Sequence, residues 1–75
     1  MSHVGKMIKT VFDKQTKEHT ASWLAEQLHC DRTNVYKIFH RKTIDTGVLM
    51  RISQILDHNF FLDLSAKFES SKKYK

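Results

Sequence analysis

Apolar residues recur along this chain at intervals of three and four. Val4, Met7, Ile8, Val11 and Phe12 make the first such stripe, with Lys6, Lys9, Asp13 and Lys14 between them. That spacing lines one face of a 3.6-residue helix and predicts α-helix from about His3 to Gln15. The polar stretch Thr16–Lys17–Glu18–His19 reads as a loop. Thr20 is placed to cap a second helix by offering its hydroxyl to free backbone N–H groups. Trp23 or Leu24, Ala25 and Leu28 supply its inner face, and the run ends near His29. Asp31 is the expected N-cap of a third helix, where its charge also suits the positive end of the macrodipole. Val35, Ile38 and Phe39 are that helix's inward positions.

After a loop from His40 to Ile44, Asp45 or Thr46 caps a fourth helix, with Val48, Leu49, Ile52, Ile55 and Leu56 inside. Asp57–His58–Asn59 breaks the pattern, since Asn tolerates left-handed geometry. Phe60, Phe61 and Leu64 then form a short fifth helix. No Val/Ile/Thr-rich run alternates with period two for long enough to make a strand. The expected architecture is therefore all-α, a compact bundle of about five short helices. One domain is expected over residues 1–66, followed by a basic, flexible tail over 67–75 that includes Lys72, Lys73 and Lys75.

At 75 residues the chain makes one domain with a small core, burying about 60% of its unfolded surface. A 40% hydrophobic and 28% charged composition is that of a globular chain rather than a disordered one. The single cysteine, Cys30, excludes an intrachain disulfide and fits a reducing cytoplasm. No run approaches the roughly 20 apolar residues of a membrane span.

Charge changes the picture more. Thirteen Lys/Arg against 8 Asp/Glu give a net charge of +5, which favours anionic partners. Part of that excess is clustered: Arg32, Lys37, Arg41 and Lys42 face one acid, Asp31, between His29 and Ile44. The cluster falls on the predicted third helix and the loop beyond it. With Asp31 as cap, the first turn holds Arg32, Thr33 and Asn34, and Lys37 follows Thr33 on the same face. Arg and Lys can donate to guanine O6 and N7, Asn can pair at two points with adenine, and Thr can meet the thymine methyl. These four are the candidate base readers. Candidate phosphate ligands flank them: Thr20 and Ser22 at the start of the second helix, and Tyr36, His40, Arg41, Lys42 and Thr43 beyond the reading turn.

The stretch LAEQLHCDRTNVYKIF, with its basic loop and the following DTGVLMRISQILDHNFF, resembles the Cro/cI-type (Xre) helix-turn-helix family, and most of all its small stand-alone members in Bacteroides-type bacteria. The resemblance runs from about His3 to Leu64. Leu24–Ala25, Leu28, Val35, Ile38–Phe39 and the apolar fourth helix carry it. It implies a lambda-repressor-like bundle whose third helix enters the major groove, with Arg32, Thr33, Asn34 and Lys37 on bases and Thr20, Ser22, Tyr36, Arg41 and Lys42 on phosphates. It also implies a cytoplasmic, nucleoid-associated repressor that binds a palindromic site as a homodimer. The C-terminal helix would supply the partner contact, through Phe60, Phe61 and Leu64. One departure stands out. The family often has Gly in the turn, where this chain has His29, and a left-handed residue other than Gly carries a cost.

Other chemistries find little footing. No pair among His3, His19, His29, His40 and His58 has the i, i+3 or i, i+4 spacing of ligands on one helix turn. No metal, cofactor or small-molecule ligand is therefore expected. Cys30 reads as a small core residue. There is no Gly-rich phosphate loop and no carboxylate pair on an apolar-walled face, so an enzyme is not expected. The rival reading is a protein-interaction module on a helix-turn-helix scaffold, such as an antitoxin or a partner-binding regulator subunit.

Overall fold

A computed structural model describes residues 3–72. Five helices follow one another: α1 (Val4–Asp13), α2 (Ala21–Leu28), α3 (Arg32–Phe39), α4 (Thr46–Leu56) and α5 (Phe60–Ser71), with no strand among the described residues. The protein is an all-α bundle, and no helix is long and apolar enough to cross a membrane.

Four of the five helices start where a side chain occupies their free N–H groups. Thr20 Oγ1 accepts from Trp23 N at 3.1 Å, Asp45 Oδ1 from Gly47 N at 2.7 Å, and Asn59 Oδ1 from Phe61 N at 3.0 Å. His3 caps α1 in the same way through Nδ1, which accepts from Lys6 N at 3.1 Å. Asp31 departs from expectation. It holds the N-cap position of α3 with extended backbone, but its carboxylate makes no capping hydrogen bond. Asp31 acts on α3 through position and charge alone.

Two helices end on left-handed residues. His29 closes α2 at φ 58°, ψ 46°, and Asp57 closes α4 at φ 54°, ψ 47°. The left-handed break between α4 and α5 thus sits on Asp57, not on Asn59, which serves as the cap of α5. At His29 the strain expected from a missing glycine is real. The αL geometry lets Cys30 N return to Ala25 O at 2.9 Å, closing the three-residue turn into α3.

The inward stripes meet in one core: Val4, Ile8, Leu24, Ala25, Val35, Ile38, Phe39, Leu49, Ile52, Leu56 and Phe60. Six of these side chains are sealed from solvent, each contributing about 1.5–3 kcal/mol by burial. Cys30, Val48 and Ile55 pack against this core only half-buried, at its edge.

Gly5 fixes how α1 joins the bundle. The first turn of α1 lies directly on the end of α3, with Val4 N donating to Lys42 O at 3.0 Å and Gly5 N to Arg41 O at 2.8 Å. A Cβ on Gly5 would stand 2.4 Å from Phe39 O, 2.5 Å from Ile38 O and 2.6 Å from Arg41 O. Only glycine permits that approach. The open N–H groups of α1 and the open carbonyls after α3 satisfy each other.

The radius of gyration is 13.0 Å, against about 11.4 Å expected for a compact domain of this length. The excess comes from α5. It continues past the expected limit near Leu64 to Ser71, and every described residue from Ser65 onward is exposed. Residues 67–71 are thus helical, where a flexible tail was expected; backbone hydrogen bonds and helix-forming residues such as Ala66, Lys67 and Glu69 suffice to carry the helix on. Lys73 and Lys75 lie outside the described residues.

Candidate nucleic-acid interface

The apolar face of α3, made by Val35, Ile38 and Phe39, is turned against α1 and α2, and this fixes what the helix presents outward. Each residue advances about 100° around the axis. Thr33, Lys37 and His40 therefore occupy the middle of the open face. Arg32 and Asn34 stand on opposite shoulders of it, about 160° apart. All four predicted base readers, Arg32, Thr33, Asn34 and Lys37, are exposed. The structure gathers Thr33 and Lys37 together and sets Arg32 and Asn34 to either side. None of the four has a side-chain hydrogen bond or ion pair among the described residues, so their donors are open to a ligand.

His40, expected among the phosphate donors at the far end of the helix, shares the open face with two predicted base readers, since it follows Thr33 by seven residues and Lys37 by three. Its Nδ1 lies 2.9 Å from Tyr36 O. A carbonyl oxygen only accepts, so Nδ1 carries the hydrogen and donates.

The flanks are positioned by backbone. Arg41 and Lys42 are held by the bonds their carbonyls accept from the start of α1, while their side chains, with that of Thr43, stay exposed. On the other flank Thr20 and Ser22 stand at the exposed start of α2. Thr20 Oγ1 already accepts from Trp23 N and keeps its hydroxyl hydrogen free to donate.

Beside Thr20 lies a depression of about 340 Å³, bordered by the end of α1, the α1–α2 loop and α3. Lys9, Lys17, His19, Thr20 and Tyr36 line it, so Tyr36 and Thr20 share one surface. Lys9 and Lys17 add positive charge that sequence spacing did not associate with this face; they meet it only through folding. Lys9 is partly offset by Asp13, 2.7 Å away. His19 stacks flat on Trp23, ring centres 3.7 Å apart, and so fixes the loop against α2.

The predicted partner-contact residues divide. Phe60 is fully buried (0% exposed) and belongs to the core, so it offers no surface to a partner. Its phase on α5 turns it toward α4, where it also meets His58, ring centres 4.6 Å apart. Phe61 and Leu64 are half-buried, and Phe68, 61% exposed, continues their stripe one turn onward. Phe61 and Met50 also line a groove of about 670 Å³ between α4 and α5. Leu62, 65% exposed, stands off the stripe by about 100°.

Among the described residues no group of three or more His, Cys, Asp or Glu is placed to hold a metal ion. Comparison with protein-family models, curated proteins and solved structures finds no match to the chain.

Proposed function

We propose that this protein is a sequence-specific double-stranded DNA-binding regulator of the Cro/cI type, acting as a repressor by occupying its site rather than by catalysis. The observation that carries this reading is the outward face of α3. The core pins that helix by three apolar residues, and its open side offers Thr33 and Lys37 with Arg32 and Asn34 at the shoulders, all without a side-chain partner among the described residues. α3 would lie in the major groove. Arg41, Lys42 and Thr43 at one end, and Thr20, Ser22 and the Tyr36 hydroxyl at the other, would hold phosphates.

A single reading helix of eight residues covers little DNA, and tight selective binding needs more contact. The proposal therefore includes a homodimer on a two-fold site. Phe61 and Leu64, with Phe68 on the projecting half of α5, make the partner stripe. Gel shift on random-sequence duplex at low and moderate salt tests the reading. Binding at low salt that weakens steeply with added salt is expected.

A second reading, a protein-interaction module, is favoured by the same exposed Phe68 and the α4–α5 groove. Absence of duplex binding even at low salt selects it over the first.

A further inference from the structure

A shallow depression of about 350 Å³ lies on the outward face of α3, walled by Thr33, Tyr36, Lys37, His40 and Arg41. All five residue types are polar, yet the exposed surface of the depression is almost wholly carbon. The Tyr36 ring, 48% exposed, forms one wall and is held edge-on against Phe39, ring centres 6.3 Å apart at 70°. The carbon that the other walls can offer is the Thr33 methyl group, the His40 ring carbons and the methylene stems of Lys37 and Arg41, since long cationic side chains lay their stems on apolar surface and hold their heads in water.

An apolar floor ringed by cations suits an apolar group carried on a polyanion. In the major groove of B-DNA only one such group stands on a base edge, the C5-methyl of thymine. We propose that the depression receives the C5-methyl of a thymine, with the Tyr36 ring as its main wall, so that this chain selects a T·A pair by apolar contact between its polar readers. The inference rests on the duplex reading above and adds to it the base at one position. It also assigns Tyr36 two tasks, since the residue borders both this depression and the one shared with Thr20.

The test uses the full chain and a duplex enriched from a random pool, with each thymine of the half-site replaced in turn by deoxyuridine, which lacks only the methyl group. One position is expected to lose affinity about fourfold, the worth of one buried methyl. Tyr36→Ala should bind the thymine and uridine duplexes equally at that position. Tyr36→Phe should keep the fourfold preference, because it retains the ring, even where loss of the hydroxyl weakens binding to both. An enriched motif without thymine in its half-site overturns this inference while leaving the duplex reading intact. So does indifference to uridine at every position, or a preference that persists in Tyr36→Ala. Failure to enrich any duplex overturns the duplex reading itself, and this inference with it. Tyr36→Phe, whose core contact with Phe39 is unchanged, keeps the comparison valid where Tyr36→Ala folds poorly.

Discussion

Replacing Gly5 by alanine should destabilise the protein by about 3 kcal/mol. In an ordinary helix the same change would stabilise, since alanine outranks glycine by about 0.5–1 kcal/mol. Here the new Cβ meets three backbone carbonyl oxygens at 2.4, 2.5 and 2.6 Å, none of them the movable end of a side chain. α1 must lift by most of an ångström to reach ordinary contact. Overpacking of this kind costs about 1–3 kcal/mol. The lift also stretches the bonds from Val4 N to Lys42 O and from Gly5 N to Arg41 O, each worth about 0.5–1.5 kcal/mol. Subtracting the helix-propensity gain leaves roughly 3 kcal/mol out of a total of about 5–15. In thermal unfolding followed by circular dichroism, that is a fall in Tm of about 12–24 °C for a domain of this size. Because the lost bonds also anchor the loop of Arg41 and Lys42, duplex affinity of the folded variant should fall with stability. A Tm that rises, or drops by less than about 4 °C, refutes the reasoning: the contact would then relax at little cost, and the α1–α3 junction would not constrain the loop.

Three further changes probe the same framework. His29→Gly should raise stability by about 1 kcal/mol, since the left-handed turn is strained for histidine and free for glycine; a lower Tm contradicts a turn closed by αL geometry. Thr20→Ala should lose about 1 kcal/mol with its cap bond, whereas Asp31→Ala, whose carboxylate caps nothing, should change unfolding free energy by less than about 0.5 kcal/mol and tighten duplex binding by removing negative charge beside α3. Equal losses in urea denaturation would show that both side chains cap alike. Ser53→Ala should be neutral or stabilising by up to about 1 kcal/mol, because the Ser53 hydroxyl is buried with no partner among the described residues; a clear loss would point to a bond that the hydroxyl makes in solution.

The helices were legible in the sequence because each buries a stripe at helical spacing and begins at a residue able to cap it. Thr20 and Asp45 could be placed at the starts of their helices on chemistry alone. The expected phase of α3, set by Val35, Ile38 and Phe39, matches the fold for the same reason: one buried face leaves one open face. The unreadable features are those made by distant segments meeting. Gly5 looks like any helix residue until the end of α3 is laid against it. Phe60 and Phe61 are adjacent and chemically identical, yet a 100° step sends one into the core and leaves the other at the surface. Asp57, rather than Asn59, takes the left-handed turn because Asn59 is needed at the start of α5. The carbon-lined dish on α3 arises from stems of polar residues, which a polar-or-apolar reading of sequence cannot register.

Selection of bound duplexes from a random-sequence DNA pool tests the central proposal most directly, since it reports binding, motif and symmetry together. Enrichment of a two-fold symmetric motif is predicted, with half-site centres about 10 base pairs apart, one helical turn of DNA. A pool that stays random through repeated rounds at low salt would contradict the assignment of α3 as a reading helix.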